Sequence, residues 1–396
     1  MFMLFKAPAS RRFRLVFLAL ALLGFLAASS TPTPLYHLYQ QAWQFSAVTL
    51  TLIFAVYAVS LLAALLTVGS LSDYLGRRPL IFLALVLQSV SMLLFLQADS
   101  VGWLIAARIV QGFATGMATS VLGAALLDID REQGPLLNSL TPLLGMASGA
   151  LGTSLLVEFA PWPLRLAYWL LLGLFVTLAL LVWHLPESVS RQPGALASLR
   201  PALHVPPRAR AAVWRMLPVN VAGWALGGFF LSLAPSLARE ATGATSNLVG
   251  GGLVAALTVT GAVAIYHLRL RPAGQILRLG TGVLPVGMLL ILLALHRGEL
   301  GLFFLATVVT GIGFGASFLG ALRTIMPLAE AHERAGLMAT FYVLSYLAFC
   351  VPAMLAGWMV RSFGLVPTGE VYALAVIILC AVAAVLSLPV RALSRG

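Results

Sequence analysis

The sequence predicts an all-α integral membrane protein with twelve transmembrane helices, and three observations lead there. The 396 residues are 61% hydrophobic and only 9% charged, against roughly 25% charged in soluble globular chains. The apolar residues gather into twelve runs, each close to the about 20 residues that cross a bilayer core. The gaps between runs alternate between arginine-rich and arginine-poor, which is the charge bias of a multi-pass membrane chain.

The runs cover approximately residues 14–36, 47–69, 79–97, 101–127, 136–158, 163–184, 213–237, 246–267, 275–295, 300–323, 336–360 and 369–390. With the N-terminus in the cytoplasm, nineteen of the 24 basic residues fall in inner segments. Only Arg165, Arg239, Arg297 and Arg361 fall outside, and Arg108 lies within a span. Both termini are therefore expected in the cytoplasm. Lys6, Arg11, Arg12 and Arg14 followed by an apolar stretch look like a secretory signal, but a polytopic chain follows, which favours an uncleaved first span. The long loop at 185–212, rich in Pro, Ser and Arg, separates a six-helix half at 1–184 from another at 213–396. A short internal likeness links the halves: Asp130-Arg131-Glu132-Gln133-Gly134 and His332-Glu333-Arg334-Ala335-Gly336 each precede the fifth span of their half.

Composition also excludes. A net charge of +12 would suggest nucleic acid in a soluble chain, but here it is spent on topology. The only lysine is Lys6, so the body of the chain can form neither a Walker phosphate loop nor a Schiff base. Cys350 and Cys380 lie inside apolar runs and supply neither a disulfide framework nor a metal site. No cofactor is implied. Asp128-Ile129-Asp130 has no second acidic cluster, and His332-Glu333 meets Gly336 where a zinc helix would need a second histidine. A polytopic membrane enzyme is thereby left as a remote alternative.

The loop after the second span reads Gly69-Ser70-Leu71-Ser72-Asp73-Tyr74-Leu75-Gly76-Arg77-Arg78-Pro79. Gly69 permits close helix approach, Asp73 can brace a helix end, Gly76 allows a tight reversal, and Arg77 and Arg78 pin the turn to the inner face. The fourth span carries Arg108-Ile109-Val110-Gln111-Gly112. These two segments resemble the signature loop and the R-x-x-Q-G motif of the major facilitator superfamily, with Tyr74 where that loop usually has arginine. The resemblance implies two six-helix halves that move a small organic molecule by alternating access. It also implies a charge latch of Asp73, Arg77 and Asp128 that holds one gating state. In the second half, Arg269-Leu270-Arg271-Pro272-Ala273-Gly274-Gln275 keeps the basic character and loses the aspartate. The fifth span has Gly145 and Gly149 on a small-x-x-x-small face but lacks the Gly-Pro of proton-coupled exporters.

An arginine in a span costs about 2.5–3.5 kcal/mol on insertion scales, so Arg108 should face a partner or cavity. Glu158 in the next span is its candidate partner, and an Arg108–Glu158 pair broken by protonation is the expected proton switch; His37 is the other titratable candidate. The resemblance implies a cavity lined by spans 1, 4, 7 and 10. The polar and aromatic residues there are Ser30, Thr31, Tyr36, Gln111, Thr115, Asn220, Trp224 and Thr310, flanked by Tyr57, Asn138, Tyr342 and Tyr346. Apart from Arg108 they offer a substrate no charge, which favours a neutral, amphipathic or weakly anionic compound. The expected partners are that substrate, protons and the lipid bilayer, with no nucleic acid, for a monomer in the cytoplasmic membrane of a bacterium. Proton-coupled export of a drug or metabolite is the preferred reading; uptake of a metabolite or vitamin is the alternative.

Overall fold

A computed structural model describes residues 10–386 except Ala202 and Ala331. Lys6, Arg391, Arg395 and the last residues of the twelfth apolar run lie outside the described residues. The described chain forms helices and no strand. The spans are α1 Arg11–Trp43, α2 Ala47–Val68, α3 Arg77–Leu96, α4 Val101–Ile129, α5 Gly134–Phe159 and α6 Leu166–His184. They continue with α7 Pro207–Ser232 plus Ala234–Thr242, α8 Leu248–Leu268, α9 Ala273–Arg297, α10 Leu300–Leu328, α11 Arg334–Phe363 and α12 Leu365–Leu386. The first span is longer than its apolar run because Pro32-Thr33-Pro34 continues it as helix to Trp43. The seventh begins at Pro207, inside the stretch read as central loop, because proline suits the first turn of a helix. It bends by 64° between Ser232 and Ala234, where Pro235 cannot donate to the carbonyl of Leu231.

The two halves pack by one scheme repeated six helices apart. In the first, α1 lies on α5, α2 on α4, α3 on α4 and α6; in the second, α7 lies on α11, α8 on α10, α9 on α10 and α12. Between halves the chief contacts are α5 on α8 and α2 on α11. Glycine sets the closeness of the matching pairs. A Cβ at Gly112 or Gly116 on α4 would collide with the backbone oxygens of Tyr57 and Leu61 on α2. A Cβ at Gly311 or Gly315 on α10 would collide with those of Leu257 and Gly261 on α8. Gly145 and Gly149 seat α5 on α1 in the same way. Large apolar side chains such as Leu170, Leu180, Leu355 and Ile378 are exposed on the outside of the bundle, where acyl chains would cover them.

The face that carries the 69–79 turn is called the loop face here, and the opposite one the far face. On the loop face Gly76 has φ +100°, a conformation open to glycine at little cost, and the chain reverses there directly into α3.

Candidate transport site

Two prolines, Pro32 and Pro235, free backbone carbonyls from which the polar architecture of the spans grows. Pro32 has no N–H, so the oxygen of Ala28 loses its partner within α1 and instead accepts Gln111 Nε2 at 2.9 Å. Pro235 likewise frees the oxygen of Leu231, which accepts Thr33 Oγ1 at 2.9 Å across the two halves.

Arg108 is 1% exposed and sits beside the Ala28 contact. Its Nε and a terminal nitrogen donate to Tyr36 Oη at 3.0 and 2.5 Å. The other terminal nitrogen donates to the Ser29 oxygen at 2.9 Å and to Gln111 Oε1 at 2.6 Å. The guanidinium lies 5.0 Å from the Tyr57 ring centroid and 5.6 Å from that of Tyr36. Aromatic faces and helix-end carbonyls are the negative ends of dipoles, so they stabilise a buried cation without a carboxylate. The expected Arg108–Glu158 pair is therefore corrected. Arg108 spends its donors on α1 and α4, while Glu158 is exposed at the far face and faces α8. Glu158 accepts from Ser246 Oγ at 3.2 Å, from Asn247 N at 3.1 Å and from Asn247 Nδ2 at 2.9 Å.

The central cavity measures about 250 Å³ and lies between the halves. Ser29, Phe54, Tyr57, Leu231 and Phe349 bound its inner part, while Leu65, Asn138, Leu322 and Met338 carry it toward the loop-face ends of α2, α5, α10 and α11. Its lining among the described residues contains no Asp, Glu, Lys, Arg or His. Aromatic rings concentrate on the second half: Trp224 has Tyr346 at 5.0 Å, Phe349 at 5.9 Å and Phe318 at 6.2 Å between centroids.

Of the residues expected in the cavity, Asn138, Tyr57, Trp224, Tyr342 and Tyr346 line it. Tyr36 and Gln111 belong to the Arg108 network instead. Thr115 bonds back to the Gln111 oxygen and Asn220 Nδ2 to Ser345 Oγ, both buried off the cavity wall. Ser30, Thr31 and Thr310 turn to backbone oxygens: Ser30 to Met146, Thr31 to Ala27 and Thr310 to Ala306. Sequence reasoning missed Phe54, Phe314, Phe318 and Phe349, which an apolar run hides. No group of three or more His, Cys, Asp or Glu among the described residues could hold a metal.

On the loop face Arg77 pairs with Asp73 at 2.5 Å and with Asp128 at 3.0 Å, and donates to Ser72 Oγ at 2.6 Å. Glu187 of the linker accepts the backbone N–H groups of Arg77 and Arg78 at 2.7 and 3.0 Å, where the N-terminus of α3 favours a carboxylate. Tyr74, in place of the usual arginine, accepts Gln192 N at its backbone oxygen and sets its ring against Gly194. Asp130 is the more buried acid, 4% exposed against 33% for Asp128. It accepts the backbone N–H groups of Gln133 and Glu132 and pairs with Arg11 at 2.5 Å. Those N–H groups, then Arg11, hold its carboxyl below the usual range. The second half repeats this: Glu333 accepts from Glu330 N and pairs with Arg208, which also reaches Glu330 at 2.8 Å. The Glu330 N–H, then Arg208, hold the Glu333 carboxyl low as well.

Two six-helix halves of common packing around a central cavity that runs to one face form an architecture of the kind found in secondary transporters. The chain belongs to the major facilitator superfamily, whose model matches residues 16–296. It is similar to an uncharacterized transporter of Rickettsia bellii (strain RML369-C), 32% identical over 141 residues, 34% of each chain. It is also similar to the multidrug resistance protein MdtL of Klebsiella pneumoniae (strain 342), 30% identical over 114 residues, 28% of this chain and 29% of that one. These matches span about a third of the length of the curated relatives. The crystal structure of the human organic anion transporter MFSD10 (TETRAN) superposes with a TM-score of 0.69 over 95% of this chain and 100% of that one. At 18% identity that likeness establishes the fold.

Proposed function

We propose that this transporter exports a neutral, amphipathic compound with an aromatic or bulky apolar body from the cytoplasm, driven by the proton gradient. The observation that carries the substrate class is the cavity wall without a charged side chain among the described residues. An ion moved into such a wall would lose its hydration with no paired charge to replace it. An apolar ring loses nothing and gains stacking against Trp224 and Tyr346. A cavity of about 250 Å³ lies just below the roughly 300 Å³ at which drug-sized sites begin, which favours a small compound. Export is supported by the MdtL relative, a multidrug resistance protein. The arginine bias supports a cytoplasmic loop face, and a bacterial cytoplasmic membrane agrees with bacterial relatives. The halves at 1–184 and 213–396 then rock about the cavity, with Asp73, Arg77, Arg78 and Asp128 fastening the loop of the first half.

The test is flux in inverted membrane vesicles. Neutral aromatic compounds should accumulate when a proton gradient is imposed, acid inside, and collapse of the gradient should abolish accumulation. Accumulation of organic cations in preference to neutral compounds, or loss of preloaded compound down the gradient, would refute the reading.

A further inference from the structure

On the far face the end of α5 meets the start of α8 in a set of hydrogen bonds centred on one carboxylate. Helix α8 starts at Leu248, so the N–H groups of its first turn have no partner within the helix. Helix α5, from the other half, supplies an acceptor for the N–H at the N-cap and a second contact within the first turn. Ser154 Oγ accepts Gly251 N at 3.1 Å, and one turn further on Glu158 accepts Asn247 N. Ser246 Oγ extends the Glu158 contact, accepting Leu248 N at 3.2 Å and donating to Glu158 Oε1. One half of the protein thus caps a helix of the other.

We propose that Glu158 is the proton-responsive fastening of the far-side gate: ionised, it holds α8 against α5, and protonated, it lets the far side open. This rests on the proton-coupled reading above and names the group through which the gradient acts. An ionised carboxylate suits three converging donors and the positive end of a helix dipole. A proton delivered from far-side water binds one carboxylate oxygen. It removes the charge and puts an O–H donor where Ser246 and Asn247 also present donors. Protons therefore bind the open gate more readily than the closed one, and opening is favoured as far-side pH falls through the ordinary carboxyl range near about 4. For one proton the open-to-closed ratio rises at most about tenfold per pH unit.

The charged and titratable groups that face Glu158 are Arg239 on the bent end of α7, which acts on it electrostatically, and His37 on α1, which contacts Asn247. Arg239 keeps its charge through this range and reinforces the ionised state. His37 is the competing sensor, and a variant separates the two. Other contacts across the far face, Thr33 to Leu231 and Ser154 to Gly251, carry no charge and set a pH-independent background.

The test is a distance between nitroxide labels at Trp162 and Arg297, both exposed on the far face. It uses lipid nanodiscs and a chain in which Cys350 and Cys380 are alanine. Between pH 6 and pH 3, a window that spans the ordinary carboxyl range, the Glu158 chain should gain a longer-distance population. Glu158→Gln should show that population already at pH 6 and respond no further. Asn247→Ala, which keeps the carboxylate but removes a side-chain donor, should open partly at pH 6, and His37→Gln should keep the pH response. An unchanged distance in the parent chain, a response that survives Glu158→Gln, or one lost in His37→Gln would overturn the proposal. The readout needs no substrate, so a pH-insensitive gate would refute this inference while vesicle flux still decided export.

Discussion

The two halves share a packing plan but fasten their loop-face turns with opposite polarity. In the first half the turn supplies the cation: Arg77 reaches back to Asp128 near the end of α4. In the second half the helix supplies it: Arg323, near the end of α10, donates to the backbone oxygens of Arg269 at 2.5 Å and Arg271 at 3.1 Å. The first device needs particular side chains at both ends. The second needs only one, because any residue offers a backbone carbonyl. This explains how the 269–275 turn can lack an aspartate and still be held. A related pair of contacts keeps the same polarity in both halves, Arg11 to Asp130 and Arg208 to Glu333, each tying a first helix to the turn before a fifth.

The largest effect should fall on what the halves share. Gly112→Val and Gly311→Val each force a branched side chain against a neighbouring backbone, and each should cost about 3 kcal/mol, read as thermal unfolding of purified protein. Tolerance of one but not the other would break the equivalence of the halves. Next comes the first-half turn. Arg77→Ala strips Asp128 of its guanidinium and should cost about 2–3 kcal/mol, while Asp128→Asn should cost less because Ser72 and Asp73 still hold Arg77. In the second half Arg323→Ala should cost about 1–2 kcal/mol. Arg269→Gln and Arg271→Gln should each stay within about 0.5 kcal/mol, since their carbonyls rather than their side chains accept. A large loss from either would mean that the turns are fastened alike. The smallest effect is in acid. The lowered carboxyls of Asp130 and Glu333 contribute stability that is present above the ordinary range near about 4 and lost as pH falls through their lowered folded values. Asp130→Asn and Glu333→Gln should each flatten the acid loss, measured as melting temperature between pH 6 and pH 3, by similar amounts.

Much of the fold was legible because the bilayer imposes it: run length gave the spans, and Gly76 sits at the reversal its sequence context demanded. The Arg77 contacts were legible because a fixed short turn leaves its side chains few places to reach. What escaped was decided between helices distant in sequence. Glu158 neighbours Arg108 in span order, but its hydrogen bonds reach across the halves to residues 246 and 247, and nothing local marks that. The aromatic wall was hidden because a phenylalanine facing a cavity reads like one facing lipid. One missed signal was available. Pro32 and Pro235 each free a carbonyl four residues back, and those oxygens take Gln111 and Thr33 as partners. The matching glycine pairs 112/116 and 311/315 were a clearer sign of repetition than the short acidic segments.

The central claim is that this state presents an uncharged cavity to the cytoplasm with the far side closed. It is tested most directly by placing a single cysteine at Met338, near the loop-face end of the cavity, and reacting it with a membrane-impermeant maleimide. The account predicts rapid labelling in inverted vesicles, slowed by a transported neutral aromatic compound, and little labelling in right-side-out vesicles. Labelling mainly from the outside would contradict it.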